Sequence, residues 1–522
     1  MLTPVIRRFS VSLGIASALA GLPVQAQRPA APLAPQFDLY EKSIPELKKA
    51  MESGQVTSGQ LVEQYFARIK AYDQDGPRIN AFIALNPRAL EVAAALDAER
   101  RAGRVRGPLH GIPIVVKDNY ATVDMPTTAG SLALEGFETK RDAFMVKKLR
   151  DAGVVIMGKT NLHELASGIT TISSMGGQTR NPYDPTRNPG GSSGGTGAAV
   201  AANFAVAGLG TDTCGSIRNP SADNNLFGLR GTSGLSSRDG IVPLSHTRDI
   251  GGPLARTMTD LALLLDATVG FDPADATTAA SQGHIPPSYA SLAGEGDAVD
   301  IRAVRIGIVP ALFGATPEDA EVGAVVRRAI DVLRGLVGGV SEIAIPGYEE
   351  ATEGTGTNVS ELKWDLMDYL AQFPGAPVRS LDDILSRGLY HNAVAGAIRR
   401  ANAVESRDSE AYRAGLIRRE TVRKTILAAM QAQGLTALAY PTLRRKPAVI
   451  GEPQAGSNCQ VSATSGLPAM SIPAGFTNDG LPIGLELLGG PFTEPMLITV
   501  AFAYEAATHP RRPPPTTPSL YR

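Results

Sequence analysis

Two side chains able to act as nucleophiles stand close together in GTDTCGSIRNPS, residues 210 to 221: the thiol of Cys214 and the hydroxyl of Ser216. Either needs a base to become reactive near neutral pH, and the next histidine, His246, lies thirty residues further on. A lysine offers another route. Lys117 closes the apolar run IPIVVKD, 112 to 118, at the lip of a buried strand, where desolvation lowers an ammonium from about 10.4 toward neutrality. A strand-end lysine can equally reach solvent or pair with a neighbour such as Asp118, and the residue pattern leaves both readings open. Between these stretches lies NPGGSSGGTGAAVAANFAVAG, 188 to 208, where a glycine- and serine-rich loop carrying Ser192 and Ser193 runs into a small-residue helix and strand. Its glycines let backbone amides converge. Gly210 and Gly215, flanking Thr213 and Cys214, do the same in the opening stretch, an arrangement that stabilises an oxyanion.

Other chemistries fit less well. A phosphate cradle would need the lysine of GxxxxGK[ST], which the 188 to 208 loop lacks. No serine sits in a GxSxG elbow, although a Ser-His-Asp triad assembled from distant residues stays open. The histidines, His110, His163, His246, His284, His391 and His509, show no HExxH or i, i+4 pairing. Cys214 and Cys459, 245 residues apart, offer neither a disulfide framework nor a CxxC metal pattern. No metal and no cofactor are expected, and the Cys214 thiol remains a rival to Ser216.

Taken together, Lys117 in GIPIVVKDN, Ser192 in GGSSGG and Ser216 in GTDTCGSIRNP resemble the Ser-Ser-Lys triad of the amidase signature family. Their separations of 75 and then 24 residues agree with that family's order and spacing. The similarity extends through GPLHGIPI, GKTNLHE, RNPYDPTRNPGGSSGG and DIGGPLARTMTDLALLLDA to SGLPAMSIPAGFTNDGLPIGLELLG, and looks greatest toward bacterial exported amidases, including peptide amidases. It implies a single-domain α/β/α sandwich around a large mixed sheet of about eleven strands. It also implies roles: Ser216 as attacker, Ser192 as relay, neutral Lys117 as base, and the amides of Thr213, Cys214, Gly215 and Ser216 as oxyanion donors. Further implications are a cis peptide between Gly191 and Ser192, a supporting Ser193, and an Asp212–Arg218 pair bracing the turn. Many members have glycine where this chain has Cys214, so that side chain is expected to narrow the pocket.

The elements that must hold these residues are partly legible. SIPELKKAMESG offers a helix with Ser43 as cap and Glu46 three residues later, and TSGQLVEQYFARIKAYD a second, capped by Thr57 or Ser58. A third helix spans 86 to 103. Apolar runs then alternate with amphipathic helices: strands at 112 to 118 and 154 to 160, a helix at 142 to 153, and a capping box in NLHELA through Asn161 and Glu164. This alternation predicts a predominantly parallel sheet. Further strands are expected at 203 to 210, 304 to 309, 341 to 345 and 435 to 440, a helix at 316 to 336, a hairpin around Asn478-Asp479-Gly480, and a last helix at 494 to 508. Residues 272 to 300 look loop-like. Residues 357 to 432 read as helices, within a segment near 345 to 455 that matches no family pattern and is expected to shape the substrate pocket.

The chain has 522 residues, 43% hydrophobic and 19% charged, with a formal charge of −1. That balance gives no reason to seek nucleic acid. MLTPVIRRFSVSLGIASALAGLPVQAQ carries Arg7 and Arg8, an apolar run and a small-x-small site at Val24 to Ala26. Residues 1 to 26 therefore read as a removed signal peptide, residues 27 to 37 as a Pro/Ala-rich linker, and 38 to 522 as the amidase domain. The expectation is a periplasmic or secreted hydrolase of small carboxylic amides, with no stable membrane insertion once the signal is removed. Peptide C-terminal amides, esters and carbamates are alternatives on the same triad. Rival functions are a noncatalytic binding protein and one of the subunits of a tRNA amidotransferase.

Overall fold

A computed structural model describes residues 37–293, 299–353, 355 and 358–521; the expected signal peptide and nearly all of the linker lie outside the described residues. From Asp38 onward the chain forms one compact unit. Its first helix, Ile44–Glu52, starts where the Glu46 carboxylate accepts from Ser43 N and Oγ. In the second, Ser58–Arg68, Thr57 and Gln60 exchange backbone and side-chain bonds at 2.9 and 3.1 Å. Leu61, Tyr65 and Ile69 face inward and are fully buried, the outcome of their helical spacing.

The centre is an eleven-stranded sheet. Its spatial order is Phe82–Leu85, Val155–Thr160, Pro113–Lys117, Ala207–Asp212, Ile250–Ala255, Phe227–Arg230, Ala469–Phe476, Pro482–Gly489, Ala437–Pro441, Arg305–Ile308 and Gly339–Glu342. Helices pack against it, giving the mixed α/β architecture that the resemblance implied. The expected predominance of parallel strands is not met: four neighbouring pairs are parallel and six antiparallel. The alternation held for the strands around Lys117 and failed for Phe227–Arg230 and Ile250–Ala255. The latter reads IGGPLA, and two glycines with a proline look like loop despite lying in the sheet's interior.

Three neighbouring strands matter most for function. Pro113–Lys117 is parallel to Val155–Thr160 on one side and to Ala207–Asp212 on the other. All three therefore end at the same edge of the sheet, where crevices of α/β folds form. Lys117 is the last residue of its strand, and Thr211 and Asp212 are the last two of theirs.

The NLHELA segment departs from its expected capping box. It is a single 3₁₀ turn, Glu164–Ala166, with Leu165 and Ala166 at positive φ. The Glu164 carboxylate does not turn back toward Asn161; it accepts from Ser174 N and His391 N, each at 2.9 Å. Residue 391 leads into Asn392–Asn402, which lies in the variable segment with the helices Tyr348–Thr352, Asn358–Ala371, Leu381–Arg387 and Glu410–Ala432. Leu366, Leu370, Leu381, Ile384, Val394 and Ile398 form its core and pack on Leu134, Phe137, Leu165, Val242 and Leu244. This segment thus covers one flank of the crevice.

Candidate active site

Lys117 is fully buried, and its Nζ lies 2.7 Å from Ser192 Oγ and 2.7 Å from Thr211 Oγ1. Asn119 Nδ2 also donates to Thr211 Oγ1, at 3.0 Å. The alternative in which Lys117 pairs with Asp118 does not occur. Asp118 bonds Lys159 at 2.9 Å and accepts from Thr128. Burial lowers the Lys117 ammonium to about 7, working against the attraction of Asp249 and Asp212. A neutral amine is thereby available near physiological pH, in contact with one serine hydroxyl.

That serine follows a cis peptide at Gly191–Ser192. Its carbonyl accepts from His163 N at 3.0 Å. Burial pushes the His163 imidazole down to about 4, helped by His391 and Lys117, so it stays neutral beside the lysine. Ser193 ties the loop down in two directions. Its Oγ lies 3.2 Å from both Thr211 O and Thr211 N, and its N–H donates to Ser216 O at 3.2 Å. The loop approaches the strand so closely that a Cβ at Gly210 would stand 2.7 Å from Ser193 Oγ.

Ser216 lines a cavity of about 280 Å³. Thr213 and Cys214 share that wall; Ala166, Ile169, Leu244, Leu362, Ala397 and Ala401 make the apolar sides, and Arg400 also lines it. Among the described residues, Ser216 Oγ has no hydrogen-bond partner, and the N–H groups of Cys214 and Ser216 have no protein acceptor. Donors without acceptors beside an unengaged hydroxyl are what an oxyanion site requires. The Gly215 amide is a correction to the expected donor set. It donates to Asp212 Oδ1 at 2.7 Å, so it closes the turn and is not free for substrate. Gly215 has φ +82, which favours glycine at this position.

Beneath the turn lies a buried charge network. Arg218 Nε donates to Asp212 Oδ2 at 3.0 Å, and Arg218 also pairs with Glu486. Arg230 Nη1 reaches Asp212 Oδ1 at 3.2 Å and also bonds the Asp212 carbonyl. Burial alone would raise the Asp212 carboxyl, but Arg218 and Arg230 outweigh it and hold it well below the usual range. Burial raises the Glu486 carboxyl despite Arg218. The expected Asp212–Arg218 brace is therefore present and larger than expected. Glu486 carries no local signal, because it sits on a strand 268 residues beyond Arg218.

The two cysteines also differ from expectation. Cys214 and Cys459 are joined by a disulfide. Their 245-residue separation hid this, since only folding brings the turn after the Ala207–Asp212 strand to the start of the Gln460–Ser465 helix. A thiol nucleophile at 214 is thereby removed, and the residue instead lines the cavity. Thr211 and Asn119 were missed as well; both lie inside the quoted motifs, but a threonine and an asparagine next to stronger candidates give no separate signal. Among the described residues, no group of three or more His, Cys, Asp or Glu is placed to hold a metal ion.

A Lys–Ser contact at a sheet edge, beside a serine turn with free amides, defines a class of acyl-transfer site. Residues 60–498 match the Amidase family model, and the chain belongs to the amidase signature family, whose members act on amide C–N bonds. The peptide amidase of Stenotrophomonas maltophilia is similar in structure, with a TM-score of 0.83 and 38% identity over 91% of this chain and 99% of that one. A glutamyl-tRNA(Gln) amidotransferase subunit of Halorhodospira halophila is 35% identical over 490 residues, covering 90% of this chain and 98% of its own. The solved structure of the corresponding Thermotoga maritima protein has a TM-score of 0.70 and 27% identity, over 89% of this chain and 94% of that one.

Proposed function

We propose that the protein is a cofactor-independent amidase in which Ser216 forms an acyl-enzyme. Neutral Lys117 takes the Ser192 proton while Ser192 takes that of Ser216, and Ser216 Oγ attacks the carbonyl carbon of the amide. The N–H groups of Cys214 and Ser216 receive the oxyanion; losing one such donor typically costs about 3 to 4 kcal/mol. Ser192 returns a proton to the leaving nitrogen, the C–N bond breaks, and water releases the acid by the same relay in reverse. The observation that carries this reading is the 2.7 Å contact between a lysine lowered to about 7 and Ser192.

The cavity's mostly apolar walls support acyl and aryl amides as substrates. A second reading, peptide C-terminal amides, is favoured by the likeness to peptide amidase. The relatives that belong to amidotransferases motivate a third. Against it stand the leader-like first 26 residues and the near-neutral net charge. The same leader, with a disulfide of the kind that persists in oxidising compartments, supports export.

The test is a hydrolysis screen of mature protein over aliphatic, aromatic, anilide, peptide-amide, ester and carbamate substrates, alongside Ser216→Ala. Amide turnover that falls about 10³-fold or more in the variant is expected. An inert wild type, or recovery only in a complex with tRNA and further proteins, would overturn the reading.

A further inference from the structure

The amides of Cys214 and Ser216 must keep their positions while charge develops on the substrate oxygen. Two tethers at Asp212 hold the far side of the turn, through Gly215 N and Ile217 N. The near side, at Cys214, is covalently fixed to Cys459. Cys459 is itself anchored: its carbonyl accepts from Arg218 Nη2 at 3.3 Å, and its N–H donates to Ser457 Oγ at 3.3 Å. Ser457 Oγ also bonds Asn219 Oδ1 at 3.3 Å. The crosslink therefore closes a ring of contacts around the nucleophile turn. Both cysteines are partly exposed, and Cys214 lines the cavity.

We propose that the Cys214–Cys459 disulfide is a positioning element for acylation: it holds the turn carrying Ser216 and its oxyanion donors, so turnover depends on the oxidised crosslink in addition to the fold. This rests on Ser216 being the nucleophile. A small displacement of such donors is costly; about 1 Å of misplacement can lower a rate by about a hundredfold. In reduction by a dithiol, two electrons pass to the S–S bond, two protons end on the Cys214 and Cys459 sulfurs, and the dithiol closes to its own disulfide. The freed Cys214 is then kept in place only by its backbone neighbours.

The experiment compares three forms: oxidised wild type, wild type kept reduced by a dithiol, and Cys214→Ala/Cys459→Ala. Each is assayed for kcat, for KM, and for affinity toward an aldehyde that forms a tetrahedral adduct with the nucleophile. Circular dichroism reports the fold. The expected result is a kcat lowered about ten- to hundredfold in the crosslink-free forms, with KM little changed, aldehyde affinity falling in parallel, native dichroism, and recovery on reoxidation. If the double variant does not fold, the reduced wild type alone decides. Undiminished kcat in a folded protein without the crosslink would overturn the proposal, and so would a loss of kcat that merely tracks a loss of dichroism. Failure of the underlying reading looks different: Ser216→Ala would keep activity, or the oxidised enzyme would not bind the aldehyde.

Discussion

At the level of single residues, the account turns on one amine. Burial lowers Lys117 to about 7, so the folded protein binds its proton less tightly than an unfolded chain does, and the neutral base prevails above that value. The predicted profile of kcat/KM therefore rises with pH through a midpoint near 7 and is flat above it; below the midpoint it falls about tenfold per unit. His163 cannot supply this limb, because it is held at about 4. Lys117→Ala should remove nearly all turnover at pH 8, measured on any amide the wild type hydrolyses. Lys117, Ser192 and Ser216 drew notice in the sequence as a strand-end lysine and two serines in glycine-rich stretches, and it was the family resemblance that joined them into a triad. Thr211 was not, although it holds Lys117 as closely as Ser192 does. A threonine hydroxyl is common, and only the parallel pairing of two strands brings it to the lysine.

At the level of elements, the site depends on how closely the 188 to 193 loop lies against the Ala207–Asp212 strand. Gly210→Ala would place a methyl group 2.7 Å from Ser193 Oγ and 2.9 Å from Leu254 Cδ1, well inside van der Waals contact. The loop must then shift, carrying Ser192 with it. The expected outcome is a loss of kcat exceeding the loss of thermal stability, measured by initial rates and a thermal melt on the same preparation. Strands such as Pro113–Lys117 and the hairpin of Ala469–Phe476 with Pro482–Gly489 were legible from apolar runs and a turn signal. Strand Ile250–Ala255 was not, since its neighbours on both sides supply the packing that its own residues lack. NLHELA failed for the opposite reason: Glu164 had the right spacing for a cap but found stronger partners in Ser174 and His391.

For the whole molecule, one covalent link spans 245 residues between the turn carrying Ser216 and the start of the Gln460–Ser465 helix. A link of that span restricts the unfolded chain, and removing it in Cys214→Ala/Cys459→Ala should lower stability by about 2 to 5 kcal/mol, read as an earlier denaturant midpoint with a larger m-value, because the unfolded chain without the link is less compact. The variable helices meet the same cavity from the other side through Leu362, Ala397 and Arg400. The periodicity of that segment announced helices, but only the fold reveals which of their surfaces faces the cavity. The central claim, that Ser216 carries the acyl group, has a direct measurement: acid quenching of the enzyme during steady-state turnover of an activated amide or ester, followed by peptide mass mapping. The account predicts an acyl adduct on the peptide containing Ser216, absent in Ser216→Ala. An adduct on any other residue, or turnover persisting in that variant, would contradict it.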